Sequence, residues 1–191
     1  MKNVRIIFSL SACAAVFLFL CTSLSLQALN PDKAITQYNM QVWNLEGGLP
    51  SNTIYAICQT RDGYLWVGTG DGLARFDGLH FETYNIKNTP QLKNNKIRVL
   101  YEDSKETLWI GTETGGITRY KDGTFFTYPV TKYKSLAKVR TINEDKRGNL
   151  WIGSIAGLTC LHGETFSTYT EKGGLPSNLV TDIYKDTAGD L

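Results

Sequence analysis

Cysteine, histidine and net charge are all in short supply in this sequence, and each shortage closes off a class of function. Of the four cysteines, Cys13 and Cys21 fall in the first 28 residues, which read as a leader. The remaining Cys58 and Cys160 make neither a disulfide framework nor a metal-ligand spacing. His80 and His162 are the only histidines, and two imidazoles cannot hold a metal by themselves. Lys2 and Arg5 are the leader's only charges. Without them the basic residues balance the 18 acidic ones, so no net field favours nucleic acid or anionic lipid. Helical patterning is missing too: past residue 30 no window carries apolar residues at i, i+3, i+4 and i+7 over three turns.

What is present argues for strands. Apolar content is 42% and aromatic content 12%, which excludes a disordered composition. Eighteen glycines stand among short apolar runs, the texture of strands joined by tight turns.

The leader has a basic start, an apolar run from Ile6 to Leu20 and a polar, small-residue exit, "CTSLSLQA". That is a secretory layout with cleavage after about Ala28, although Leu26 stands where a small residue is preferred. Ile6–Leu26 is also long enough to span a membrane uncleaved. The run before Cys13 is too short to favour lipidation there.

From residue 29 onward the chain repeats itself. Trp66, Trp109 and Trp151 each follow Leu and precede Val/Ile-Gly-Thr/Ser, at spacings of 43 and 42 residues. "TAGDL" at the end looks like the same phrase before its tryptophan, which is expected at the residue after Leu191. Upstream of each phrase lies a strand-like stretch: "TIYAICQT", "KIRVLYED", "KVRTINED" and "LVTDIYKD". A glycine turn follows at Gly63, Gly148 and Gly189, with Glu106 the exception. Downstream come "GLARFDG", "GGITRYKDG" and "GLTCLHG", then Phe-x-x-Tyr at Phe81/Tyr84, Phe125/Tyr128 and Phe166/Tyr169. A unit of four short strands, some 40 residues long and with Asp-Gly turns, is the blade of a β-propeller. The fold class is therefore all-β, an incomplete propeller of three blades, 49–91, 92–133 and 134–174, with a partial fourth at 175–191. "ITQYNMQVW", aligned on the "GLPSN" that follows it, reads as an outermost strand within residues 29–48 that closes the ring. Trp66, Trp109 and Trp151 should fill the space between blades, each worth roughly 3–5 kcal/mol. Gly68, Gly111 and Gly153 should permit close approach or an unusual dihedral.

"GLPSNTIYAICQTRDGYLWVGTGDGLARFDG", with its echoes at Leu108–Gly123 and Leu150–Gly163, resembles the two-component regulator propeller repeat. The resemblance covers the chain beyond the leader and implies a bacterial extracytoplasmic sensor. It also implies a further β-sandwich, a membrane helix and a histidine kinase or diguanylate cyclase output, none of them in this sequence. On this reading the chain is the N-terminal part of a longer sensor whose remaining blades and output domains are its partners. A homodimer of the full-length protein and anchoring in the inner membrane are further expectations. Trp-Asp and Gly-His pairs, the marks of WD40 blades, do not occur, and "DKRGNLW" spaces Asp and Gly one residue too far for a sialidase-type Asp box.

No catalytic constellation or cofactor site is legible. "GTGDG" at Gly68–Gly72 lacks the helix that a phosphate loop needs and has non-phosphate counterparts in "GTETGG" and "GSIAG". Cys58 and Cys160 read as buried filler. Binding is better motivated, because the long loops "NIKNTPQLKNNK" and "PVTKYKSLAK" emerge at one end of the blades. Tyr55, Arg98, Arg140 and Thr181 form a polar column beside the constant apolar Ile54, Ile97, Val139 and Val180, with Asn52, Asn95 and Asn178 nearby. Solvated rim residues would show the same pattern. The function expected is sensing of a small molecule or glycan at this end. A secreted polysaccharide-acting propeller enzyme and a non-catalytic docking propeller are the alternatives.

Overall fold

The computed structural model describes residues 41–187 and Leu191. The leader, most of the expected closing strand and Gly189 lie outside the described residues. No helix among the described residues is long and apolar enough to cross a membrane.

Among the described residues, twelve strands form three four-stranded antiparallel sheets, each a meander in chain order. The first holds β1 (Ile54–Gln59), β2 (Leu65–Thr69), β3 (Leu73–Phe76) and β4 (Phe81–Tyr84). The second holds β5 (Ile97–Glu102), β6 (Leu108–Thr112), β7 (Ile117–Lys121) and β8 (Thr124–Tyr128). The third holds β9 (Thr141–Glu144), β10 (Leu150–Ser154), β11 (Gly157–His162) and β12 (Thr165–Tyr169). Each sheet falls inside one of the three blade segments read from the repeat. β1 lies beside β5 and β5 beside β9, so the first strand of every sheet is its inner one.

The repeated phrase builds the joints between sheets. Trp66 joins Leu73, Ile97, Leu100, Leu108 and Ile110 in a core that spans the first two sheets. Trp109 joins Val139, Ile142, Leu150 and Ile152 across the second and third. Each indole stacks on the tyrosine that ends its own sheet: Trp66 on Tyr84, Trp109 on Tyr128 and Trp151 on Tyr169, with centroids 5.8, 6.3 and 5.8 Å apart. The phenylalanine of each later Phe-x-x-Tyr reaches back to the tyrosine of the sheet before it, Phe125 to Tyr84 and Phe166 to Tyr128, both at 5.1 Å. Aromatic pairs of this kind add to plain burial, so a recurring set of three aromatic residues, Trp, Tyr and Phe, ties neighbouring sheets together.

Each indole N–H also has an acceptor six residues upstream: Thr60 Oγ1 at 3.2 Å, Asp103 Oδ2 at 2.8 Å and Asp145 Oδ2 at 3.0 Å. The second oxygen of Asp103 accepts from the backbone N–H groups of Lys105 and Thr107, and that of Asp145 from Arg147 and Asn149. One carboxylate thus holds both the turn and the tryptophan. Burial works against the charged form of Asp145, yet hydrogen bonds from Trp151 and Asn149 prevail and hold its pKa down at about 2. The turn itself needs a left-handed residue, which Gly63 and Gly148 supply with φ of 92° and 78°. Glu106 adopts φ of 60° at the same place, a conformation costing a residue with a Cβ ~1 kcal/mol. Glu106→Gly is therefore expected to raise stability by ~0.5–1 kcal/mol in urea unfolding. A loss would mean that the glutamate side chain makes up more than its backbone strain.

Carboxylates at the ends of inner strands clasp the preceding sheet. Glu102 accepts from the N–H of Arg61 at 3.1 and 3.2 Å, and buried Glu144 accepts from the N–H and hydroxyl of Ser104 at 2.8 and 2.7 Å. Burial pushes the thiols of Cys58 and Cys160 up from their ordinary value, in keeping with filler beside Trp66 for Cys58.

Two expected strands fall at the ends of the described chain, each only partly within it. The segment 179–186, expected as the first strand of a fourth blade, forms no strand among the described residues. The segment instead lies against the third sheet: the Val180 N–H donates to Ser154 O at 2.9 Å, and Asn143 Nδ2 donates to Ile183 O at 3.2 Å. The described part of the closing strand, residues 41–48, is turn and coil. Trp43 nonetheless stands 6.0 Å from Phe81, as Tyr84 and Tyr128 stand near the phenylalanines of the sheets that follow them.

Candidate ligand-binding face

The inner strands of the first two sheets open with a β-bulge that selects which side chains face outward. In the first sheet the register shifts between Ile54 and Ala56, and in the second between Ile97 and Val99, leaving Tyr55 and Arg98 as the extra residues. In the third sheet the Arg140 N–H donates to Gly153 O at 2.9 Å, just before β9 begins. A bulged residue is released from the alternation of the strand and re-aimed. This is why the column Tyr55, Arg98, Arg140 is polar and variable while Ile97 and Val139 beside it are fully buried.

That burial explains Gly68, Gly111 and Gly153. A Cβ on Gly68 would meet Ile97 Cγ2 at 2.8 Å, one on Gly111 would meet Val139 Cγ1 at 2.7 Å, and one on Gly153 would meet Val180 Cγ1 at 2.7 Å. Each glycine is the socket for the first apolar residue of the next repeat. Of the two roles expected for it, close approach is the one the structure supports.

The long loops and the turns between second and third strands meet at this end. The Glu113 N–H donates to Lys96 O at 3.0 Å, the Gly70 N–H to Thr53 O at 3.0 Å, and Asn94 Nδ2 to Thr114 Oγ1 at 2.7 Å. Three predicted site residues serve the loops themselves. Asn52 Oδ1 accepts from the Leu45 N–H at 3.0 Å, Asn95 Oδ1 from Ile86 at 2.9 Å and Asn178 Oδ1 from Glu171 at 2.9 Å, reaching back seven, nine and seven residues. These asparagines brace the chain as it leaves an outer strand for the next inner one.

Arg98 is the member of the column with close side-chain partners. The Arg98 guanidinium lies over the Tyr55 ring at 4.4 Å and the Lys96 ammonium at 5.5 Å. Arg98 Nε donates to Glu113 Oε2, and Lys138 Nζ lies 4.0 Å from Glu113 Oε1. The hydrogen bond from Arg98, with further pull from Lys96 and Lys138, holds the Glu113 carboxyl below its ordinary range. Arg140 and Thr181 are exposed at the corresponding places of the next two repeats. Sequence reading missed Glu113, Lys96 and Lys138. The signal available was Lys-Ile-Arg at 96–98 recurring as Lys-Val-Arg at 138–140.

Two clefts open at the opposite end, among the tight turns. One, of about 670 Å³, lies between the second and third sheets against Trp109, Arg119 and Leu161; another, of about 230 Å³, lies between the first and second. In the larger cleft the polar wall is engaged: Arg119 pairs with Glu164 at 3.0 Å, and Glu164 also accepts from the Tyr128 hydroxyl at 2.7 Å. His80 and His162 are exposed at this end as expected, in or beside the turns between third and fourth strands.

The family profile of the two component regulator propeller matches residues 48–71, 91–114 and 134–156, one match for each sheet. The chain carries two component regulator propeller repeats. Each match runs from the incoming loop through the inner strand and the Trp-x-Gly strand to the turn beyond it, so the glycine socket belongs to the repeat.

Solved relatives agree. The extracellular domain of a hybrid two component system from B. thetaiotaomicron is 25% identical with a TM-score of 0.66, covering 73% of this chain and 21% of that domain. A second such domain from the same organism is 26% identical with a TM-score of 0.63, covering 77% and 21%. Histidine kinase P4 of Formosa agariphila is 31% identical over 69 residues, 34% of this chain and 5% of the kinase. The chain thus spans about a fifth of the structural relatives and a twentieth of the curated one. Virginiamycin B lyase from Staphylococcus aureus, 16% identical with a TM-score of 0.51 over 65% of this chain and 42% of the lyase, shares the fold alone.

Proposed function

We propose that these propeller repeats are the extracytoplasmic input of a bacterial signal-transduction protein, taking a small molecule or glycan at the inner-strand end and regulating a histidine kinase or diguanylate cyclase. The observation that carries this reading is that successive inner strands bring Tyr55, Arg98 and Arg140 to one end of a rigid scaffold, the first two on a bulge. The likeness to extracellular domains of two component systems supports the side of the membrane. A ligand bridging side chains from neighbouring blades binds best in one arrangement of those blades, and that difference in affinity shifts the output equilibrium.

The test is Arg98→Ala combined with Arg140→Ala in the full-length protein, with output followed across a panel of oligosaccharides. The half-maximal ligand concentration is expected to rise by at least ~10-fold, as for loss of two charge-assisted contacts. An unchanged dose response would remove this face from consideration.

A further inference from the structure

The inner-strand end is basic although the chain beyond its leader is neutral. Lys96, Arg98, Lys138 and Arg140 come from two consecutive repeats, and each pair flanks an apolar residue, Ile97 or Val139, that is fully buried. Lys96 and Arg98 both lie over the Tyr55 ring, at 5.5 and 4.4 Å, and Lys138 and Arg140 are both exposed at the corresponding places of the next repeat. Glu113 is the acidic group found among them, touching Arg98 from its own sheet and Lys138 from the next. One carboxylate in contact with two of these four cations leaves an excess of positive charge beside the exposed ring of Tyr55.

From this juxtaposition we infer that the ligand of the face is anionic: a short oligosaccharide or comparable small molecule bearing two or more carboxylate or sulfate groups, held across the second and third sheets by Lys96, Arg98, Lys138 and Arg140. Arginine forks suit carboxylates and sulfates in two-point contact, and lysines add point charge. Glu113 stands in for the ligand's anion when the face is empty, and its depressed carboxyl pKa agrees with the local surplus of cations. This rests on the sensing reading above and goes beyond it in naming the ligand's charge.

The experiment is calorimetric titration of the full-length protein with tetragalacturonate, with a fully sulfated disaccharide and with neutral tetragalactose. At least one acidic probe is expected to bind ~10-fold or more tightly than the neutral one, and to weaken as salt rises from ~50 to ~300 mM. The carboxylate and sulfate arms separate the two anion types. Lys96→Gln with Arg140→Gln, both on solvent-accessible side chains, should cost at least ~10-fold in affinity for the acidic probe. Glu113→Gln should tighten it by ~3-fold or more, because the competing carboxylate is gone; a merely structural Glu113 would not do this. Equal binding of neutral and acidic sugars, failure of both acidic probes to bind, or indifference to the Lys96 and Arg140 substitutions would overturn the inference. Should a neutral sugar drive output in a manner lost on Arg98→Ala with Arg140→Ala, the sensing reading stands and the anionic ligand falls.

Discussion

Trp109→Ala is expected to lower the unfolding free energy of the propeller by roughly 3–5 kcal/mol. The indole is 6% exposed, packed between the second and third sheets, stacked on Tyr128 and hydrogen-bonded to Asp103. Removing it opens a void at a joint that neither sheet can collapse into without moving the other, and it takes a partner from a carboxylate that also organises a turn. Trp66, 1% exposed at the equivalent joint, should behave alike. Trp151 should not, although the repeat assigns it the same job. It is only half-buried, because the segment beyond the third sheet is coil rather than a fourth sheet. Trp151→Ala should cost about 1–2 kcal/mol, in proportion to the area it keeps from water. Urea unfolding of the three variants checks the ranking. Equal losses at Trp109 and Trp151 would mean that the tryptophans stabilise their own sheets rather than the joints.

The second large effect is expected at a position with no side chain. A Cβ on Gly111 would lie 2.4 Å from Val99 Cγ1 and 2.7 Å from Val139 Cγ1. Both neighbours are branched at Cβ, so neither can swing aside by a simple rotamer change. Gly111→Ala is expected to cost ~2–3 kcal/mol by overpacking. Gly63→Ala is the control: its φ is 92° and no atom lies within 4 Å of the added Cβ, so it carries only the left-handed penalty of ~1 kcal/mol. The difference isolates close approach from backbone strain. If the two variants unfold at the same urea concentration, the socket account of Trp-x-Gly is wrong.

The bulge was half legible in the sequence. The alternation of a constant apolar residue with a variable polar one marked Tyr55, Arg98 and Arg140 as outward-facing. Their neighbour Glu113 escaped notice because it arrives from a different turn, 15 residues from Arg98, and no short spacing announces such a meeting. The asparagines look like candidate ligand contacts in sequence for an equally physical reason. A rim asparagine has the same sequence signature whether its oxygen awaits a ligand or already accepts from a backbone N–H. The indole acceptors Thr60, Asp103 and Asp145 share a constant distance from tryptophan but not a residue type, so they too were passed over.

The sequence alone was enough for the number of sheets, their four-stranded meander and the aromatic period that joins them, because these depend on local alternation and on turns read within one repeat. Burial at the joints, the partner of each carboxylate and the positive character of the inner end were decided only in three dimensions. Stacking brings together residues one repeat apart, and the charge surrounding a side chain belongs to that assembled neighbourhood, not to the strand that carries it.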